Sequence, residues 1–218
     1  MRAAAAMLIA IGVAVPTSTA NAVGAAPCRH QLTDPVGDLN TTTPTVIVAG
    51  QAVDLIAADV RTDARNLYAK VQVVDLPDEA SAPVADLAYR VTITTNGQSY
   101  WLDYDNMKLG GPVTEAWHVT AGDASPEDNP NGGAGSGELA GDGTGKVDVH
   151  KNTVLMTFPR SAFAASGGVG RTITGLHAIS WWGNGVREPT TGSFEGSYAG
   201  ADLARSAAVY TSGRPSCA

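Results

Sequence analysis

Positive charge is scarce in this sequence. Lysine and arginine number 14 against 21 aspartates and glutamates, which gives a formal net charge of −7. A surface of that sign repels nucleic acid and anionic membranes. We therefore expect no nucleic-acid partner and no membrane insertion. The excess acid serves either calcium binding or the solubility of an extracellular protein.

The sequence also lacks the short motifs that mark common catalytic and zinc sites. It contains no H-E-x-x-H, no C-x-x-C and no G-x-S-x-G motif. Its four histidines, His30, His118, His150 and His177, are widely spaced. A pair of carboxylates for glycoside cleavage assembles in space rather than in sequence, so that chemistry stays open. The interpretation is a protein that is not an enzyme, with an undetected hydrolase as the third hypothesis.

Long hydrophobic runs are confined to the N-terminus. Arg2 precedes the apolar run AAAAMLIAIGVAVP, and Ala20-Asn21-Ala22 has the small-x-small pattern of a cleavage site. The run is shorter than the ~20 residues that span a bilayer, which argues against a membrane anchor. We predict a signal peptide over residues 1–22 and a single secreted domain over 23–218, whose oligomeric state is left open.

Only two cysteines are present, Cys28 and Cys217. In an oxidising compartment such a pair predicts a disulfide bond, and two free thiols are the alternative. The bond would join the two ends of the secreted chain. Chain-entropy arithmetic for a loop of this length gives about 5 kcal/mol of stabilisation as an upper figure.

Alternation of apolar and polar residues dominates the chain, and helical periodicity is scarce. In LYAKVQVV, Leu67, Ala69, Val71 and Val73 share one face, which predicts a half-buried strand. The strand VDLIAADVRTD before it should form a hairpin with it. The dipeptide Asn-Gly at 96–97 separates AYRVTITT from QSYWLDYD and is the strongest short signal for a hairpin.

These patterns predict an all-β fold, a single antiparallel β-sandwich of jelly-roll or immunoglobulin-like type. We expect eight to ten strands and little helix. Residues 122–145 are rich in glycine, proline and acid and predict a long surface loop, with a short strand around 138–140. Residues 183–204 predict a second irregular region. Pro159 should begin one short helical turn.

Several motifs in this order resemble a known class of secreted modules. They are DPVGD (34–38), VDL (53–55), LYAKVQVVDL (67–76), YRVTITTNGQSYWL (89–102) and GKVDVHKNTVLMTFPRSAF (145–163). The set is similar to DOMON and family-9 carbohydrate-binding-like β-sandwich modules, as found appended to secreted bacterial subtilisin-like peptidases. The resemblance implies a non-catalytic ligand-binding or accessory module. No protease domain accompanies it here, so we expect the module to act alone.

The first loop carries a candidate structural calcium site. Asp34 and Asp38 lie four residues apart, and Asp54 precedes the next strand and could reach them. Calcium requires several oxygen ligands around one point, which these carboxylates and nearby carbonyl groups could supply. The alternative is a plain turn, because Asp, Pro and Gly in this order also form one.

Aromatic residues supply a candidate glycan site. Trp181 and Trp182 are adjacent in a predicted strand, so one of them should face away from the core. Trp101 and Tyr104 of the Asn-Gly hairpin complete the candidate ligand-binding set. The alternative is that residues 183–204 cover the outer tryptophan. We expect a polysaccharide or cell-envelope glycan as the ligand, and an extracellular protein-interaction or structural accessory role as the alternative function.

Overall fold

The computed structural model describes residues 28–39, 50–77, 86–107, 114–122, 137–187 and 194–218. The predicted signal peptide and part of the predicted loop at 122–145 lie outside these ranges. Twelve strands and two short helices are found within them. The strands are β1 (Leu32–Thr33), β2 (Leu55–Thr62), β3 (Asn66–Val73), β4 (Asp86–Thr95), β5 (Gln98–Met107), β6 (Thr114–Gly122), β7 (Gly137–Asp142), β8 (Thr144–Asp148), β9 (Thr153–Pro159), β10 (Thr172–Arg187), β11 (Phe194–Ser206) and β12 (Tyr210–Thr211). The helices are α1 (Gly50–Val53) and a 3-10 helix (Arg160–Ser166).

The strands form two antiparallel sheets packed together, which confirms the predicted all-β sandwich. The described ranges hold twelve strands rather than the eight to ten predicted, because two-residue strands such as β1 and β12 are too short to show an alternating pattern. The five-stranded sheet has the order β1-β2-β3-β9-β8. The other sheet has the order β11-β10-β4-β5-β6-β7, and β12 also pairs with β10. The hydrophobic core lies between the two sheets.

The apolar face predicted for β3 lies in that core. Leu67, Ala69, Val71 and Val73 are each at most 1% exposed. Strand β3 pairs with β2 on one side and with β9 on the other. In this register buried apolar residues of both neighbours, including Val60 and Met156, lie beside those of β3. Because side chains alternate across a strand, one such register fixes which residues of all three strands face the opposite sheet.

The Asn-Gly hairpin also forms as predicted. Asn96 and Gly97 have φ angles of 51° and 75°, the positive values that a two-residue turn of this kind requires. The turn brings the inner face of β4, including Tyr89, opposite the inner face of β5, including Tyr104. Their rings stack with centroids 6.1 Å apart. The Tyr89 hydroxyl donates to the carbonyl oxygen of Ala52 at 2.6 Å, which ties α1 to the core.

Pro159 precedes the predicted short helical turn, which is the 3-10 helix. Its Phe163 is fully buried and packs edge-on against Tyr100 with ring centroids 5.0 Å apart. The helix ends at Gly167, whose φ of 106° favours glycine. This helix therefore closes one end of the core.

The prediction of an irregular region over residues 183–204 is wrong for the described part. Strands β10 and β11 continue through it as a paired ladder, from Gly183 opposite Tyr198 to Arg187 opposite Phe194. Glycine-rich composition hides the strand pattern in the sequence, but backbone pairing requires no side chain. The short strand expected around 138–140 is confirmed within β7.

The two ends of the described chain are covalently joined. Cys28 and Cys217 form the predicted disulfide bond, with their Cα atoms 5.3 Å apart and a sequence separation of 189. None of the helices in the described ranges has the length and apolar character needed to cross a membrane.

Candidate metal centre

The DPVGD loop follows β1 and is anchored to the start of β2. The Asp34 amide donates to the carbonyl oxygen of Ile56 at 2.9 Å. Gly37 has a φ of +87°, and its amide donates to both carboxylate oxygens of Asp54, at 2.9 and 3.1 Å. The loop is therefore a tight turn held by Asp54, as the turn interpretation requires. This turn also determines where the other carboxylates of the loop point.

Strand β11 brings a further acid to the same place. Asp202 is 3% exposed, and its oxygens accept hydrogen bonds from the amides of Leu55 and Leu203, each at 2.8 Å. Leu55 begins β2 in one sheet, whereas Asp202 belongs to the other. The Asp202 carboxylate therefore bridges the two sheets at the edge where the DPVGD loop lies.

Three carboxylates converge at this edge. One oxygen from each of Asp34, Asp38 and Asp202 lies within 4.8 Å of the other two. Asp38 is exposed, Asp34 is partly buried and Asp202 is buried. We call these three residues the acidic cluster. Asp54 is not one of the three, but its charge lies close enough to act on Asp34.

The electrostatics of the acidic cluster are unfavourable. Burial, followed by the charges of Asp202 and Asp38, raises the pKa of Asp34 from its ordinary 3.8 to about 7. Burial likewise raises the pKa of Asp202, although the Leu55 amide opposes this effect. Among the ion pairs of the described ranges, none joins the cluster to lysine or arginine. Within the described ranges, the negative charge of the cluster is therefore not balanced by an ion pair with lysine or arginine.

One oxygen of the cluster also lacks a hydrogen bond. When both acids are ionised, the buried Oδ2 atom of Asp34 has no hydrogen-bond donor within the described part of the chain, whereas a protonated Asp34 carboxyl group would hydrogen-bond to Asp202. Buried polar atoms are nearly always satisfied, so an unsatisfied carboxylate oxygen among other carboxylates is a position where a cation would be favourable.

The spacing of the cluster fits a hard divalent cation. Calcium binds oxygens at about 2.3–2.6 Å, so two of its ligands lie at most about 5 Å apart. The separations within the cluster meet that limit. Carbonyl groups of the loop and water would complete a shell of six to eight oxygens. The turn and the metal interpretations are therefore compatible, because the Asp54-held turn presents Asp34 and Asp38.

Sequence reasoning named Asp34, Asp38 and Asp54 but missed Asp202. Its segment, GADLA, lies in the region interpreted as irregular. The structure shows an alternation there, with Asp202 and Ala204 buried and Leu203 partly exposed. That alternation was the available signal. A buried aspartate within that alternation needs hydrogen-bond donors or a cation to compensate its charge.

The aromatic candidates occupy different positions. Tyr104 is 2% exposed and packs in the core against Trp117, with ring centroids 4.3 Å apart. Trp101 lies on the opposite face of β5 and is 3% exposed, with the Arg90 guanidinium 4.8 Å from its ring centroid. Neither ring offers an open face to a sugar in this structure.

The two adjacent tryptophans lie in β10. The backbone of Trp181 pairs with Ala88 and Ala201, and that of Trp182 pairs with Leu87. Their side chains fall outside the described part of the structure. Their role in ligand binding therefore stays a prediction.

Comparison with known proteins adds no assignment to this site. No family model, curated protein or solved structure matches the chain. The resemblance to DOMON and family-9 carbohydrate-binding-like modules stays a prediction, and the chemistry of the site rests on its own residues.

Proposed function

We propose that the chain is a secreted, non-catalytic binding module in which the acidic cluster holds a calcium ion. The observation that carries this proposal is the convergence of Asp34, Asp38 and Asp202 within 4.8 Å. These acids come from a loop and from a strand of the opposite sheet, and no basic side chain among the described residues forms an ion pair with them.

Calcium would relieve three unfavourable features at once. It would neutralise the repulsion among the acids, stabilise the ionised form of Asp34, and give its buried Oδ2 atom a partner. Because Asp202 bridges to the amide of Leu55, the ion would also connect the first loop to both sheets. Its role is structural, and it involves no reaction step.

The proposed calcium ligand Asp202 lies one residue from the backbone partner of Trp181 in the candidate glycan site. Asp202 lies opposite Ser180, and the preceding residue of β11, Ala201, lies opposite Trp181. An ion bound at Asp202 would therefore hold the pair of strands that carries the tryptophans. The resemblance to carbohydrate-binding modules supports a polysaccharide or cell-envelope glycan as the ligand, and the proximity in register makes us expect that calcium strengthens its binding.

Calorimetric titration with calcium tests the site. We expect one ion per chain, with a dissociation constant on the order of 0.1–1 mM, as in other extracellular modules. Asp38→Asn should weaken binding at least tenfold, since it removes a ligand charge. The matched control is Asp75→Asn, which makes the same change at an exposed aspartate outside the cluster. Equal calcium affinity for the two variants would contradict the proposal.

Glycan pulldown tests the binding role. The oxidised chain should be retained on an insoluble polysaccharide or on cell-envelope glycan, and more strongly with calcium than with EGTA. If no glycan retains the chain although calcium still binds, glycan binding is excluded and the protein-interaction role is favoured.

A further inference from the structure

A second group of metal-binding side chains surrounds the disulfide bond. His30 Nδ1 lies 2.7 Å from an oxygen of Asp59, whose side chain is fully buried. A ring nitrogen of His30, an oxygen of Asp59 and the sulfur of Cys217 all lie within 4.8 Å of one another. Because Cys217 is bonded to Cys28, a second sulfur is also at this place. The group lacks a motif in sequence because its members come from both ends of the chain and from β2.

Contacts other than the sulfur–sulfur bond hold these residues in place. Asp59 accepts a hydrogen bond from the amide of Gln31 at 2.8 Å, which fixes the segment that carries His30. Lys70, the cross-strand neighbour of Asp59, donates from its ammonium group to the carbonyl oxygen of Cys217. The C-terminal segment is therefore attached to β3 independently of the disulfide bond. Cleavage of that bond would leave both sulfurs near His30 and Asp59.

The group is also accessible from solvent. A surface pocket of about 620 Å³ is lined by Cys28, Arg29, His30, Gln31, Thr33 and Ala208. Because Cys28 and His30 both line this pocket, we expect a reductant and a metal ion to approach the group from it.

We propose that reduction of the Cys28–Cys217 bond converts this group into a tetrahedral zinc site. A dithiol transfers two electrons and two protons to the disulfide bond, becomes a disulfide itself, and leaves two cysteine thiols. Zinc then displaces the two thiol protons and binds both thiolates, His30 and Asp59. The bonds to the ion replace the hydrogen bond between His30 Nδ1 and Asp59, and the neutral imidazole then carries its proton on Nε2.

The geometry and the ligand types fit zinc. Zinc–sulfur bonds of about 2.3 Å and zinc–nitrogen bonds of about 2.0 Å set neighbouring ligand atoms about 3.5 Å apart. The ligand atoms of His30, Asp59 and Cys217 lie between 2.7 Å and 4.8 Å apart, so small side-chain rotations suffice for these three. The Cys28 sulfur starts at bonding distance from that of Cys217 and would move away from it by about 1.5 Å once the bond is cleaved. Two thiolates and an imidazole favour zinc over calcium, whereas the acidic cluster offers only oxygen. The reduced chain would thus keep its ends joined through the metal.

Zinc uptake by the reduced chain tests the proposal. The purified chain is reduced with dithiothreitol, desalted without oxygen, and titrated with zinc or with cobalt as a spectroscopic probe. We expect one tightly bound zinc per reduced chain, a thiolate-to-cobalt charge-transfer band, and neither in the oxidised chain. His30→Ala should weaken zinc binding at least tenfold. The matched control His150→Ala, at an exposed histidine, and Asp38→Asn in the acidic cluster should leave it unchanged.

Circular dichroism of the same samples covers the case in which the reduced chain unfolds. Zinc should then restore the β-sheet spectrum of the reduced wild type, because metal binding is coupled to folding. If the reduced wild type and His30→Ala bind zinc equally, the two cysteines alone account for zinc binding and the proposal is overturned. Equal uptake by the reduced wild type and by Cys28→Ser/Cys217→Ser would overturn it as well.

Discussion

Asparagine in place of Asp34 should stabilise the protein when calcium is absent and abolish its response to calcium. The asparagine side chain has the shape of the protonated aspartic acid and carries no charge. It therefore imitates the form of Asp34 that its neighbours favour, with the pKa raised to about 7 by burial and by Asp202 and Asp38. The same change removes a calcium ligand. The substitution should therefore stabilise the calcium-free protein and prevent formation of the calcium-bound one.

The magnitude follows from the separation of the charges. Two like charges 4.8 Å apart repel by about 3 kcal/mol at an effective dielectric constant of 20, and by about 1 kcal/mol in water. The cluster lies at the edge of the sandwich, so a gain of about 1–3 kcal/mol is expected for Asp34→Asn in EGTA at pH 8. For a chain of this size that gain corresponds to roughly 3–10 °C in melting temperature.

The sign of the pH dependence is also fixed. The folded state holds a proton on Asp34 up to about pH 7, whereas the unfolded state releases it near the ordinary pKa of 3.8. Wild-type stability from this group is therefore fully present below about pH 4 and is lost as pH rises through 7. The advantage of Asp34→Asn should be near zero at pH 4 and largest at pH 8.

Thermal unfolding in EGTA from pH 4 to pH 8 measures this difference, with Asp75→Asn as the control for removal of one negative charge. Asp75→Asn should shift the melting temperature little, and by the same amount with and without calcium. Destabilisation of Asp34→Asn at pH 8 in EGTA would refute the reasoning, because it would mean that the Asp34 charge is compensated by the protein itself.

Three other predictions follow from the same structure. Calcium affinity should fall about tenfold per pH unit below pH 7, because binding requires the ionised form of Asp34; titration at pH 5.5, 6.5 and 7.5 measures it, and a flat profile would exclude Asp34 as a ligand. Cys28→Ser/Cys217→Ser should lower the free energy of unfolding by up to about 5 kcal/mol in urea, since the bond closes almost the whole chain; a loss below about 1 kcal/mol would show that the contacts of the C-terminal segment already hold it. Alanine at whichever of Trp181 and Trp182 faces solvent should abolish glycan pulldown with little change in melting temperature, whereas a large loss of stability for both variants would assign both to the core.

The fold could be predicted from local sequence patterns wherever apolar and polar side chains alternate strictly. The apolar face of β3 and the turn at Asn96 and Gly97 need only a few consecutive residues to be recognised, and both formed as predicted. The β10–β11 ladder could not be recognised in that way, because glycine interrupts the alternation and the pairing depends on a partner strand.

Within the candidate calcium site, residues that are close in sequence could also be predicted, whereas the distant one could not. Asp34 and Asp38 belong to one turn, and Asp54 directly precedes the strand beside it, so their proximity could be inferred from local order. Asp202 reaches the same point from the opposite sheet, 147 positions from Leu55, whose amide it accepts. A contact of that range is created by the packing of two sheets. The local alternation around Asp202 indicates that it is buried, but it does not indicate which residue it contacts. The grouping of His30 and Asp59 with the cysteines likewise depends on contacts between distant parts of the chain and cannot be predicted from local sequence.

The most direct test of the calcium site is the melting temperature of the oxidised chain at pH 7.5, measured in EGTA and then in millimolar calcium. A ligand that binds only the folded state stabilises it by mass action, so calcium should raise the melting temperature by several degrees. Magnesium at the same concentration should raise it less, because magnesium requires a tighter octahedral shell. Equal melting temperatures in EGTA and in calcium would contradict the account, and Asp34, Asp38 and Asp202 would then be a turn and a bridge between sheets without a metal.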